Sequence, residues 1–175
     1  GPVRNEMGIR TVFNTLGPLS NPSRARAMVV GVYSPKLTEI MAGAMMNLGV
    51  ERGFVVSGHD NMDEFTLTGS STVSEIKDRK VTTYEVTPEQ FGLSCCKLED
   101  LQGGDGAVNA QITKNILSGK EQGPKRDIIL LNAGAALYIG GKADSIKDGI
   151  ALAAQTIDSG KGLEVIENLV KLTNA

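Results

Sequence analysis

The sequence has no tryptophan, one histidine and two cysteines among its 175 residues, and each scarcity removes a class of chemistry. A zinc centre built on several imidazoles is excluded. A Ser-His-Asp triad would have to use His59, and no Gly-x-Ser-x-Gly elbow accompanies it. Cys95 and Cys96 are adjacent, so they are poorly placed to bridge, and no further cysteine supplies a disulfide framework or a second thiol pair at zinc spacing. They read as small apolar side chains in a reducing, cytoplasmic setting. Long hydrophobic runs are also missing: the longest, Ile128 to Gly141, includes Asn132 and falls short of the roughly 20 residues that span a bilayer. No basic-then-apolar leader opens the chain, so a soluble protein with no membrane partner is expected. Neither charge dominates. Eighteen Lys and Arg against 20 Asp and Glu leave a net charge of -2, which provides no electrostatic footprint for nucleic acid.

What is present is glycine, 21 residues of it, with a core stock of Val, Ile, Leu, Met and Ala rather than aromatics. That composition suits an α/β domain with many tight turns. Ile9, Val12, Phe13 and Leu16 recur at helical spacing and predict a short helix that Gly17-Pro18 should end. Ala27 to Tyr33 is an apolar run without polar alternation, as expected of a central parallel strand covered on both faces. Ser34-Pro35 then opens a helix with Leu37, Ile40, Met41, Ala44, Met45 and Leu48 on one face, closed by Gly49. Gly53 to Ser57 is a second buried strand, and ligands of open α/β sheets bind where such strands end.

The segment after it reads Gly58-His59-Asp60-Asn61-Met62-Asp63-Glu64. Adjacent carboxylates on a loop can offer oxygens to a hard cation, and Mg²⁺ typically takes one or two carboxylates together with waters and substrate phosphates. The plainer reading of such a pair is a solvated surface. Further on, Thr72 to Ile76 and Val81 to Val86 flank Lys77-Asp78-Arg79-Lys80 and predict a solvent-exposed hairpin. Thr87-Pro88-Glu89-Gln90 matches a capping box, after which the β signal ends. Helices follow: one capped by Asp105, a nearly apolar one from Asp127 to about Ile139, one capped by Asp144, and a last one using Leu163, Ile166, Leu169 and Val170. Gly103-Gly104-Asp105-Gly106 could suggest a phosphate loop, but no strand precedes it, no Lys-Ser or Lys-Thr follows, and Asp105 would repel the anion. A helix cap is the simpler reading.

Arg4 to Pro22, with Gly17-Pro18-Leu19-Ser20-Asn21-Pro22 at its end, closely resembles the anthranilate phosphoribosyltransferase family. The resemblance continues through Val29 to Pro35, Met62-Asp63-Glu64, Leu67-Thr68-Gly69, Leu101 to Asp105 and Leu130 to Ala133. It implies an α/β fold of the nucleoside phosphorylase/phosphoribosyltransferase type, with a central, mostly parallel sheet flanked by helices, an exposed β-hairpin and C-terminal helices. The implied reaction transfers phosphoribose from 5-phosphoribosyl 1-diphosphate to the amine of anthranilate, releasing diphosphate, in tryptophan biosynthesis. By the same resemblance Arg4 forks the anthranilate carboxylate, Gly17 and Pro18 wall the anthranilate channel, and Asp63 and Glu64 hold Mg²⁺. No acid or base is implied, because positioning and leaving-group stabilisation can supply most of the acceleration.

The chain departs from the family around the acidic pair. It has Ser57-Gly58 where His-Gly is common and Asn61 where Gly is common. The family's glycine-rich phosphate loop, its Lys-x-Gly-Asn-Arg segment and its helical dimerisation region have no counterpart here. Residues 1–175 are therefore expected to be the C-terminal part of one catalytic domain, inactive alone, from an enzyme that is a homodimer at full length. Two rival readings share this architecture: a pyrimidine nucleoside phosphorylase-like enzyme, and a non-catalytic nucleic-acid-binding homologue.

Overall fold

A computed structural model describes residues 13–174, so Arg4, together with Ile9 and Val12 of the expected first helix, lies outside the described residues. Among the described residues the first element is helix α1 (Phe13–Leu19), which runs through Gly17-Pro18 instead of stopping there. Proline crowds the Cβ of the residue before it, and Gly17 has none, so the helical turn survives until Ser20 caps back onto the Leu16 carbonyl at 2.9 Å. Strand β1 (Ala27–Gly31) follows, then a 3₁₀ turn over Pro35–Leu37 and helix α2 (Thr38–Asn47). Strands β2 (Arg52–Gly58), β3 (Ser71–Lys77) and β4 (Lys80–Val86) complete a sheet of order β1-β2-β3-β4.

The α/β class holds, but the sheet is mixed rather than mostly parallel. β1 runs parallel to β2 in the register Val29↔Phe54, whereas β2–β3 and β3–β4 are antiparallel, with Val56↔Val73 and Val73↔Tyr84. Only the β1–β2 step carries a helical crossover; the later strands are joined by loops or a tight turn, which permit antiparallel pairing. Among the described residues β1 is an edge strand, and the central positions belong to β2 and β3. The hairpin is therefore only partly exposed. Its tip projects into solvent with Asp78 and Arg79 at positive φ, while Val73, Ser74 and Ile76 of β3 are buried.

Period-two alternation explains why β2 reads as a continuous apolar run. Val55 points to one face, where Met41, Ala42 and Met45 of α2 pack with Val30, Val32 and Ile76. Phe54 and Val56 point to the other, against Leu130, Leu131, Ala135 and Ile139. The α2 stripe is rotated from the expected one: Thr38 is buried, and Ile40 and Leu48 are exposed. Thr38 is accommodated because its hydroxyl donates to the Pro35 carbonyl at 2.9 Å and accepts from Ser74 Oγ at 2.9 Å. A helix apolar around much of its circumference leaves that rotation to the sheet.

The second face is covered by a helical layer. After the 3₁₀ turn Pro88–Phe91, where the Thr87 N–H donates to Gln90 Oε1 at 3.1 Å, come α3 (Leu98–Leu101) and α4 (Gly106–Leu117). Asp105 caps α4 through the Val108 N–H at 3.0 Å, as the cap reading requires. Helix α5 (Pro124–Ile139) is the buried one and pairs closely with α6 (Ile146–Asp158). Ser145 rather than Asp144 caps α6, accepting from the Asp148 N–H at 3.1 Å. Helix α7 (Lys161–Thr173) has no buried residue, so Leu169 and Val170 are exposed instead of facing inward. No helix of the described residues is long and apolar enough to cross a membrane.

Candidate functional site

The acidic loop leaves the C-terminal end of β2 and returns at β3, so Asp63 and Glu64 lie on a loop with no strand alternation to separate them. Its first turn is closed by the Gly58 N–H donating to the Met62 carbonyl at 2.8 Å and the Asn61 N–H to the Gly58 carbonyl at 3.0 Å. Asn61 adopts φ 63°, a left-handed conformation that asparagine tolerates, so the turn closes without a glycine at this place. Asp60 is the loop's internal anchor. It accepts from Thr68 Oγ1 at 2.6 Å, Thr66 Oγ1 at 2.8 Å and the Met62 N–H at 3.1 Å. Burial pushes its carboxyl up, but these bonds, led by Thr68, together with the His59 charge, outweigh burial and hold it below the usual value.

Two further contacts seat the loop on the sheet and the helical layer. A Cβ at Gly31 would overlap the Asp63 carbonyl, so only glycine lets the loop backbone rest on the end of β1. On the other side, Phe65 is pinned by Asn132 of α5, whose carboxamide bonds both its N–H and its carbonyl at 3.0 Å. Asp63 is exposed and Glu64 half-buried. Burial first, then the charges of Asp63 and Asp60, push the Glu64 carboxyl above its usual value. Among the described residues no Lys or Arg makes an ion pair with either carboxylate.

That donor set fits a hard divalent cation. It offers carboxylate oxygens crowded by their own like charge and, among the described residues, has no basic partner. No group of three or more His, Cys, Asp or Glu that could hold a metal ion occurs among the described residues, so the pair alone would leave an ion's remaining positions to other ligands. His59 is exposed beside the loop, its ring over Gly69, where a Cβ would lie 2.6 Å from His59 Cε1. It enters no triad.

The other sequence candidates lie apart from this loop. Pro18 borders a cavity of about 510 Å³ with Met28, Met45 and Leu48, at the end of β1 opposite Gly31, and no acidic-loop residue lines it. The structure therefore brings Asp63 and Glu64 together but does not bring Pro18 to them. The Gly103–Gly106 loop is closed on itself, since Asn109 Oδ1 accepts from the Gly104 N–H at 2.9 Å and its Nδ2 donates to the Gly104 carbonyl at 2.9 Å. The Cys95 thiol donates to Glu89 at 3.0 Å and is pushed up by that bond, while Cys96 packs against the core. Sequence reasoning missed Asp60, Gly31 and Asn132. Each left a signal: hydroxyls two apart at Thr66 and Thr68, an isolated glycine in a strand, and one amide inside an apolar helix.

A family model described as "Glycosyl transferase family, a/b domain" matches residues 1–163. The chain belongs to this family. Among its relatives, the anthranilate phosphoribosyltransferase of Acetivibrio thermocellus is 52% identical over 175 residues, which cover all of this chain and 50% of that protein. The enzyme of the same name from Citrifermentans bemidjiense is 56% identical over 174 residues, covering 99% of this chain and 49% of that one. Among solved structures, the anthranilate phosphoribosyltransferase of Thermus thermophilus superposes with a TM-score of 0.91 at 43% identity, over all of this chain and 51% of its own. The Saccharomyces cerevisiae enzyme in complex with PRPP and Mg gives 0.83 at 32% identity, over 95% of this chain and 48% of its own. The glycosyl transferase chain described here thus spans about half the length of the relatives it matches.

Proposed function

We propose that this chain is the C-terminal part of the catalytic domain of an anthranilate phosphoribosyltransferase. The full enzyme transfers phosphoribose from 5-phosphoribosyl 1-diphosphate to the amine of anthranilate, a step of tryptophan biosynthesis in the cytoplasm, and acts as a homodimer. The observation that carries the reading is the acidic loop: Asp63 and Glu64, without a basic partner among the described residues, seated on Gly31 and Asn132 at the end of a parallel strand, in a chain half identical to enzymes of that name. The relatives and structures named above carry neither rival's name, and the net charge of -2 argues against nucleic acid.

Asp63 and Glu64 would hold Mg²⁺. When bound, the ion supplies neutralisation of the charge that gathers on departing diphosphate. The chain's own residues bind and orient. Arg4 forks the anthranilate carboxylate and aims the amine at the ribose C1, a bidentate contact that lysine could not reproduce. The resemblance assigns Gly17 and Pro18 to the wall of the anthranilate side, although Pro18 lies at the end of β1 away from the acidic loop. No side chain need accept a proton early, because a weakly basic aromatic amine attacks an oxocarbenium-like centre and its proton can leave after bond formation.

The test is the decay of anthranilate fluorescence with 5-phosphoribosyl 1-diphosphate and Mg²⁺, using the chain alone and joined to an upstream half. Turnover in the joined form only, lost on Asp63→Asn or Arg4→Ala, is expected. Turnover by the 175 residues alone would overturn the half-domain reading, and none in either form would overturn the activity.

A further inference from the structure

The geometry points to Asn132 as a positioning residue that fixes the peptide following Glu64 and thereby sets where the acidic pair presents its oxygens to a divalent cation. This inference rests on the function proposed above. Asn132 lies on α5, and its carboxamide meets one residue of the loop through both of its flanking peptides: Oδ1 accepts from the Phe65 N–H at 3.0 Å, and Nδ2 donates to the Phe65 carbonyl at 3.0 Å. A side chain thus reproduces the paired bonds of an antiparallel bridge, across 67 residues of sequence. Nδ2 also donates to the Ile128 carbonyl at 3.0 Å, which fixes the amide's orientation on its own helix. Only an amide satisfies all three groups. A carboxylate would face two carbonyls without a proton, and an aliphatic side chain would leave the Phe65 N–H and carbonyl without these partners.

The clamp matters because of what else holds this segment. The Phe65 ring is buried and meets Phe54 edge-on, with ring centres 5.8 Å apart. On the other side of Glu64, the Asp63 carbonyl rests on Gly31. Glu64 therefore sits between a peptide packed on β1 and a peptide bonded by α5, with no hydrogen bond of its own among the described residues. The platform is rigid. Arg126 at the start of α5 forks Asp158 of α6 at 2.9 and 3.1 Å, and Gly134 and Gly149 bring the two helix backbones into contact. Asn132 bonds backbone, not carboxylate, so it acts through Glu64's neighbour and touches no reacting atom.

The experiment uses the full-length enzyme with Asn132→Ala and with Asn132→Leu, which keeps the branched shape and heavy-atom count without the amide and covers the case in which alanine prevents folding. Three quantities are read: the Mg²⁺ concentration for half-maximal turnover, the affinity for Mn²⁺ alone by paramagnetic resonance, and the exchange rate of the Phe65 amide. Loss of a residue that orients ligands typically weakens metal affinity on the order of 10- to 100-fold. Both metal readouts are expected to shift by that factor, with faster Phe65 exchange. Asp63→Asn and Glu64→Gln serve as controls. Weakened metal readouts in the controls with changes under about twofold in both Asn132 variants would overturn the clamp alone. Unchanged readouts in the controls as well would overturn the acidic-pair reading and the clamp with it.

Discussion

Replacing Gly31 by alanine is the smallest change that should move the acidic loop without touching either carboxylate. The added Cβ would occupy the space of the Asp63 carbonyl group, with the Asp63 Cα itself only 3.0 Å away. Non-bonded carbons settle at about 3.5–4.0 Å, so the loop backbone must retreat by roughly 1–2 Å to restore contact. Overpacking of this kind costs about 1–3 kcal/mol of stability, which a folded domain can absorb. Function should suffer more, because a displacement of about 1 Å in a positioned site costs on the order of 100-fold in rate. The assay is turnover in the full-length enzyme across a Mg²⁺ series, beside a denaturant melt of the same variant. A fold retained within about 3 kcal/mol, with turnover down on the order of 100-fold and a raised Mg²⁺ requirement, is the expected result. Turnover within about threefold of the parent would refute the argument that this backbone contact sets the position of the loop.

Other consequences are equally direct. Gly149→Ala drives a Cβ into the Gly134 backbone and should destabilise the α5–α6 pair by about 1–3 kcal/mol in denaturant melts; no measurable loss would show that the helices can part freely. Ser57 Oγ is the buried side-chain polar atom without a hydrogen-bond partner among the described residues, so Ser57→Ala should be neutral or raise stability by up to about 1 kcal/mol. A clear loss of stability would mean that the hydroxyl has a partner. The Asp158 carboxyl is held below its usual value chiefly by its bond from Arg126, so this contribution is present above about pH 4 and disappears as pH falls through the lowered value. Asp158→Asn should flatten that part of the acid limb of a stability–pH curve, and an unchanged limb would discount the pair.

Local chemistry was legible where a short stretch of chain decides the outcome. The Thr87–Gln90 bond, the Asp105 cap, the β2 run and the Asp63–Glu64 loop were all readable from neighbours within a few positions. Failures came where partners are distant. The face of α2 was misjudged because Ser74, 36 residues from Thr38, selects that side. The parallel β1–β2 unit and the β3–β4 hairpin were legible, but the antiparallel β2–β3 pairing that joins them was not, because apolar runs look alike in parallel and antiparallel strands. Gly17 and Pro18 were legible as a motif, but their position relative to the acidic loop depends on how α1 lies over β1.

The sequence by itself determined that this is an α/β chain with a carboxylate pair on a loop after a buried strand, because composition, period and turn chemistry are local properties of the polymer. Only the tertiary structure decided what supports that pair. Gly31 is separated from Asp63 by a strand and a helix, and Asn132 from Phe65 by 67 residues. Their contacts exist only once the sheet and the helical layer have closed around the loop. Such contacts depend on excluded volume and on pairing buried polar groups, and neither has a period that can be read along the chain.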